Sequence, residues 1–261
     1  MQQKAESVTM LVRHVRQRMP RLGTRKLYHV LGDELKELAV GRDRLFRILR
    51  ANHLLINPKR SYQVTTNSHH RFYKHQNKVE NLAIVRPEQV WVADITYLGN
   101  RDHPCYLALV TDAYSKMIVG YSVSEHLDTA NCTQALKMAI SNRQYKTAPL
   151  IHHSDRGIQY CSDEYQELLD SKKINCSMTE SYDPYQNAVA ERVNGILKQE
   201  FMIDRCRAPV KVIRQVVKES IEIYNHERPH FSCHLYTPAQ MHQQSKLPMK
   251  TYRCGQLTSV V

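Results

Sequence analysis

The stretch from residue 89 to 125 constrains the fold most. QVWVADITYL, CYLALVTDAY and KMIVGYSVSE are β-branched and aromatic runs parted only by the turn-rich GNRDHP and by SK. Such runs predict a three-stranded antiparallel meander. Beyond them DTANCTQALKMAISNR predicts a helix with Asp128 or Thr129 as its N-cap. A short strand APLIHHSD, a helix DEYQELLDSKK, a strand INCSMTE and, after the loop SYDPYQ, a helix NAVAERVNGILKQEFM follow in turn. Strands first and alternation afterwards give an α/β class, a mixed five-stranded sheet flanked by helices.

Three acids stand out against this frame. Asp94 lies inside the first strand, where alternation puts Val90, Val92, Asp94 and Thr96 on one face. A charge in mid-strand is costly unless something pairs with it. Asp155 ends the fourth strand, with Ile151 and His153 on its face, and strand ends are where α/β folds present chemistry. Glu191 shares one side of the last helix with Asn187, Asn194 and Lys198, while Val189, Val193 and Ile196 share the other and face the core. Taken singly, each acid is an ordinary surface residue or cap. Converging, they repel one another and relieve the repulsion by taking up a proton or binding cations. All-oxygen ligation favours magnesium or manganese over zinc, and a carboxylate trio holding two such ions suits phosphoryl transfer.

The charge is concentrated upstream. Residues 1–80 hold 17 Lys and Arg against 6 Asp and Glu, a net +11 of the chain's +12. This is the pattern of a basic module that grips a polyanion, joined to a neutral one that does something else. VTMLVRHVRQRM repeats Leu11, Val15 and Met19 at helical spacing and stops at Pro20. TRKLYHVLGDEL follows with Thr24 as the expected N-cap. After a turn at VGRD, RLFRILRANHLL puts Leu45, Ile48 and Leu49 on one face and Arg44, Arg47 and Arg50 on another, a surface suited to phosphates and groove edges. Short helices on Gly-containing turns read as a helix-turn-helix, with a plain helical bundle the alternative. Residues 57–88 have no sustained period and read as a linker, with His69, His70 and His75 as exposed linker histidines. No apolar run is long enough for a membrane span, MQQKAESVTM suggests no export, and seven scattered cysteines without a C-x-x-C fit a reducing cytosol.

Sixty residues separate Asp94 from Asp155 and 35 separate Asp155 from Glu191. This spacing resembles the D,D-35-E signature of the retroviral integrase and bacterial transposase core. VWVADITYL, HSDRGIQY, NAVAERVNGILKQEF and, near the end, YNHERPHFSCHLYTPAQMH look like the OrfB-type transposases of bacterial insertion sequences. RLGTRKLYHVL and RLFRILRANHLL are similar to the helix-turn-helix that these proteins carry upstream. The resemblance implies an RNase H-like fold with Asp94, Asp155 and Glu191 as catalytic residues and ligands of two magnesium ions, manganese substituting. It also implies cleavage of double-stranded DNA at element ends and transfer of the freed 3′-hydroxyl to target DNA without a covalent protein intermediate.

Lys198 matches the family lysine expected to contact DNA, and Arg25, Arg44, Arg47 and Arg50 are the candidate DNA contacts of the basic module. His153 and Asn187 match motif positions that support the site or touch DNA; Arg228, Pro229 and His230 match the terminal motif, as packing residues or DNA contacts. Asp112 is read as supporting, since its 42-residue separation from Asp155 and its context do not match the first ligand. His226 and His230 mimic a metal pair that Pro229 interrupts, and the loop ESYDPYQ lacks the glycine many relatives have. The expected organisation is a helix-turn-helix module at 1–56, a linker at 57–88, a catalytic core at 89–203 and a completing helix and tail at 204–261. A homo-oligomer, cytoplasmic and nucleoid-associated, and a product of an upstream reading frame are the expected partners and setting. The rival expectation is a DNA-binding regulator or partial subunit inactive without that upstream product.

Overall fold

The computed structural model describes residues 2–57, 73, 75–80, 82–98, 104–180, 187–244 and 247–248. Strands β1 (Val90–Tyr97), β2 (Tyr106–Asp112) and β3 (Ile118–Ser124) form the expected antiparallel meander. β4 (Ile151–Ser154) joins β1 in parallel and β5 (Asn175–Met178) joins β4, giving the order β3-β2-β1-β4-β5.

Each face of the sheet has its own core. Trp91, Ala93 and Ile95 of β1 point toward α5 (Thr129–Ser141), α6 (Ile158–Cys161) and α7 (Asp163–Ser171), where Leu136, Tyr160, Tyr165 and Leu169 are buried against them. Helix α5 is capped by Asp128, whose side chain accepts from the Asn131 N–H at 2.9 Å. It lies so close to β3 that a Cβ at Gly120 would strike the Ala135 carbonyl and stand 2.8 Å from the Ala139 Cβ.

The other face carries α8 (Ala188–Gln199) and α9 (Val210–His226), with Val193, Ile196, Leu197, Val217 and Tyr224 buried over Leu107 and Leu109 of β2. The chain closes through α10 (Pro238–His242), which opens on a capping box at Thr237.

The upstream helices are α1 (Gln2–Arg18), α2 (Thr24–Val30), α3 (Gly32–Glu37) and α4 (Arg42–Ala51). Their buried leucines, Leu22, Leu27, Leu31, Leu35, Leu45 and Leu49, belong to the same continuous apolar cluster as α8 and α9. Three local expectations are corrected. Gly23, extended, occupies the N-cap of α2, so Thr24 is its first helical residue and is buried. The run TRKLYHVLGDEL breaks at Leu31 into α2 and α3, since a mid-helix glycine such as Gly32 costs about 1 kcal/mol relative to alanine. On α1 the deeply buried apolar positions are Val8 and Val12, joined by Met19 just past its end, with Leu11 and Val15 only partly covered.

Most of 57–72 lies outside the described residues, as do His69 and His70. Residues 75–80 run beside β5, where the Lys78 N–H donates to Ser177 Oγ at 2.9 Å. Among the described residues no helix is long and apolar enough to cross a membrane, and their six cysteines are free.

Candidate active site

Asp94 sits mid-way along β1 on the face opposite Trp91 and Ala93, as alternation requires. Asn194 Nδ2 of α8 donates to its Oδ2 at 2.8 Å and the Ile95 N–H to its Oδ1 at 2.9 Å. These bonds favour the charged form, yet the pKa rises from 3.8 to about 7. Desolvation is the largest cause, the Asp155 charge comes next, and Glu191 adds a smaller push.

β1 and β4 run parallel with Val92 beside His153. Two residues further along each strand, that register sets Asp155 next to Asp94, on chains about 4.8 Å apart. Asp155 Oδ1 accepts from the Gly157 N–H at 3.0 Å. A Cβ at Gly157 would also stand 3.0 Å from that oxygen, so the glycine of HSDRG leaves room for the carboxylate.

Glu191 lies in the first turn of α8, exposed, and partial desolvation raises its pKa. The helix is tied across β1 on either side of it. Asn187 Nδ2 donates to the Ala93 carbonyl at 3.0 Å and Asn194 to Asp94, four residues before and three after, hence on one helical face. The stripe read from the sequence is therefore turned toward Asp94. Lys198 continues it, half-buried, its pKa lowered by desolvation while Asp204 and Asp94 act in the opposite sense. Among the described residues, no three His, Cys, Asp or Glu side chains stand close enough to hold a metal ion as they are arranged. Residues 181–186 lie outside them.

Other candidates fall elsewhere. Asp112 pairs with Trp91 at the far end of the β1–β2 ladder and is fully buried. It accepts from the Glu88 N–H and from Ser115 N–H and Oγ, each at 2.7 Å, which makes it a structural acceptor remote from Asp94. His153 is buried with Nδ1 2.9 Å from Ser177 Oγ of the neighbouring strand. Arg228, 1% exposed, forks onto Glu200 at 2.9 Å through both Nε and Nη2 and so packs the terminal motif. His226 is exposed beside Glu222, whereas His230 lies against Ser232, so the two share no site. Arg47 and Arg50 are exposed on α4, Arg44 half-buried there and Arg25 exposed on α2.

Two charge networks escaped the sequence. Glu200, at the end of α8, holds Arg228 and also Lys26 of α2, whose Nζ is 3.1 Å away. Buried Glu88 accepts from the Gln144 and Tyr145 N–H groups and pairs with Arg143 at 3.2 Å, while His242 bridges Glu88 and Asp112 at 3.6 and 3.7 Å. The one available signal was a lysine at position 26 beside the apolar Leu27; nothing local distinguishes Glu88 or Glu200.

The chain is similar to known proteins over most of its length. Two models, each described as the integrase core domain, match residues 84–184 and 172–238. The chain is 35% identical over 235 residues to the insertion element IS600 uncharacterized 31 kDa protein of Shigella sonnei, spanning 89% of this chain and 85% of that one. It is 34% identical over 160 residues to the transposase InsF for insertion sequence IS3fB of Escherichia coli K12, spanning 61% and 55%. With the putative transposase for IS986/IS6110 of Mycobacterium tuberculosis it shares 33% over 162 residues, and the match again spans just over half of the relative, 58%. In fold it is similar to a chain of the simian T-cell lymphotropic virus intasome solved by cryo-electron microscopy. There the TM-score is 0.54 at 20% identity, over 91% of this chain and 81% of that one.

Proposed function

The chain belongs to the integrase-core transposases of bacterial insertion sequences, and from that premise we propose that it cuts and joins DNA by divalent-metal-dependent phosphoryl transfer, with Asp94, Asp155 and Glu191 as the metal ligands. The observation that carries this is the β1–β4 register, which sets the Asp94 carboxyl beside Asp155, where burial and the charges of Asp155 and Glu191 disfavour its ionised form. Such a group gains from a neighbouring cation what it lacks from water.

The donors suit the ion. Three carboxylates without sulfur or imidazole favour a hard cation such as magnesium, with manganese the substitute. When bound, a pair of such ions supplies activation of the attacking oxygen and stabilisation of the departing one. The protein's own part is placement. Asn194 fixes the Asp94 carboxylate, the Gly157 N–H fixes Asp155, and Asn187 with Asn194 keeps α8 in register so that Glu191 stays on the side of the aspartates. The attacking groups are water and then the freed DNA 3′-hydroxyl, so no nucleophilic side chain is needed. Lys198, further along the same stripe, would meet a DNA phosphate, and Arg25, Arg44, Arg47 and Arg50 would hold the duplex upstream.

The test is a strand-transfer assay on labelled element ends with magnesium, using this chain alone and with its upstream-frame product. Asp94→Asn and Glu191→Gln are each expected to lower product at least about 10³-fold, the effect of several kcal/mol of charge stabilisation. Product that persists in either variant refutes the assignment. Product only with the upstream product added identifies this chain as the catalytic part of a larger enzyme.

A further inference from the structure

Beside the catalytic helix, on the side away from Asp94, lies a second feature that the chemistry above does not use. A cavity of about 640 Å³ opens where α2, the first turns of α8 and the segment after α9 meet. Five cations line it: Arg25, Lys26, Lys116, Arg192 and Arg228. Glu200 answers Lys26 and Arg228, and the Lys116 ammonium bonds the Ala113 carbonyl. Arg25 and Arg192, both exposed, have no ion-pair partner among the described residues. Among the described residues, Glu200 is the carboxylate that pairs with these cations.

The rest of the wall is of a different kind. Val189, Val193 and Phe231 give it an apolar side, and Phe231 is 39% exposed with Lys26 Nζ 5.8 Å from its ring. His230 adds a buried Nε2 that finds no partner, while its Nδ1 lies 2.9 Å from Ser232 Oγ. Burial and the surrounding cations keep that imidazole neutral, with a pKa of about 2, so if Nδ1 accepts from the serine, Nε2 is left as a donor. Buried polar atoms ordinarily have partners, and an orphan on a cavity wall points to a ligand.

Size selects among anions. The cavity lies within the range of about 300–1,000 Å³ usual for small-ligand sites and is far too small for a duplex. Cations beside an exposed aromatic ring are the elements by which proteins hold single strands, the phosphate on the charge and the base on the ring. Arg192 directly follows Glu191, so the cavity and the carboxylates lie on different sides of the same helix, α8.

We infer that this cavity seats an unpaired nucleotide of the DNA substrate, its phosphate between Arg25 and Arg192 and its base against Phe231. The inference rests on the chain's being a DNA transferase, and a binding assay free of catalysis separates the two. Fluorescence anisotropy in excess EDTA compares a blunt duplex with the same duplex bearing two unpaired terminal nucleotides, on the 5′ or the 3′ strand. One stacked base is worth about 1–3 kcal/mol, so one of the frayed probes should bind about tenfold tighter than the blunt one. In Arg192→Ala and, separately, Phe231→Ala that ratio should fall to about one, with circular dichroism confirming the fold. In Asp94→Asn it should persist, whatever becomes of strand transfer. A wild-type ratio near one, or a ratio that survives in both pocket variants, overturns the inference; a uniform loss of affinity for every probe does so too, because it leaves the ratio intact.

Discussion

Glu200 is the residue whose loss should cost this protein most for the smallest change of shape. It is 20% exposed on its side chain and faces two cations that have little access to water, Arg228 at 2.9 Å and Lys26 at 3.1 Å. Burial alone would raise its pKa, but hydrogen bonds and charge from Arg228, and then Lys26, draw it from 4.5 down to about 2. A displacement of that size corresponds to about 3 kcal/mol. Breaking a buried pair by removing one partner costs a similar amount, about 3–5 kcal/mol.

Glu200→Gln is therefore expected to lose about 3 kcal/mol at pH 7, or about 6–12 °C in a melting curve followed by circular dichroism. The folded carboxylate ionises below the unfolded one. Its contribution is thus complete above about pH 4.5 and vanishes as the pH falls toward 2, so wild type and variant should converge in acid. Lys26 behaves differently, because desolvation and Arg228 depress its pKa from 10.5 to about 8. Its charge is a cost that Glu200 only partly offsets, and Lys26→Met should stay within about 1 kcal/mol of wild type. Adding Arg228→Met to Glu200→Gln should restore stability by removing the stranded guanidinium. The reasoning is wrong if Glu200→Gln melts within 2 °C of wild type, or if Lys26→Met falls as far.

Three further outcomes follow from the same structure. Gly120→Ala forces a methyl group into the backbone of α5 and should cost about 1–3 kcal/mol, read as a lower urea midpoint. His242 is 2% exposed, and although burial lowers its pKa, Asp112 and Glu88 lift it from 6.5 to about 9. Its charge-dependent stabilisation is complete below about pH 6.5 and lost as the pH climbs through 9, so His242→Gln should trail wild type by about 3 kcal/mol at pH 6 and approach it at pH 9.5. Replacing Arg44, Arg47 and Arg50 together with alanine should reduce the salt dependence of duplex binding by about two to three in log–log slope, whereas an unchanged slope makes them plain surface charges.

What the sequence disclosed was whatever is written at short range. Strand alternation put Asp94 on the right face, and helical spacing put Asn187, Glu191, Asn194 and Lys198 on one stripe, because both patterns repeat within a few residues. The parallel β1–β4 ladder that brings Asp155 alongside was foreseen only as part of a mixed sheet, since pairing partners leave no local mark. Long-range charge was invisible. Lys26 and Glu200 lie 174 residues apart, and His242 reaches Glu88 across more than half the chain and Asp112 across almost half. Asp112 shows the same limit from the other side: spacing and context set it aside as a ligand, but its three donors at 2.7 Å left no mark in the sequence.

The apolar cluster that runs unbroken from the upstream leucines into α8 and α9, together with the Arg18–Glu227 and Lys26–Glu200 pairs, has a mechanical corollary. Helix α4 cannot swivel on a loose tether; it packs on α1 and α2, which share one apolar cluster with the helix that bears Glu191. On the proposed function, the number of base pairs between a duplex held at α4 and a cut at Asp94 would then be set by this packing and not by a linker.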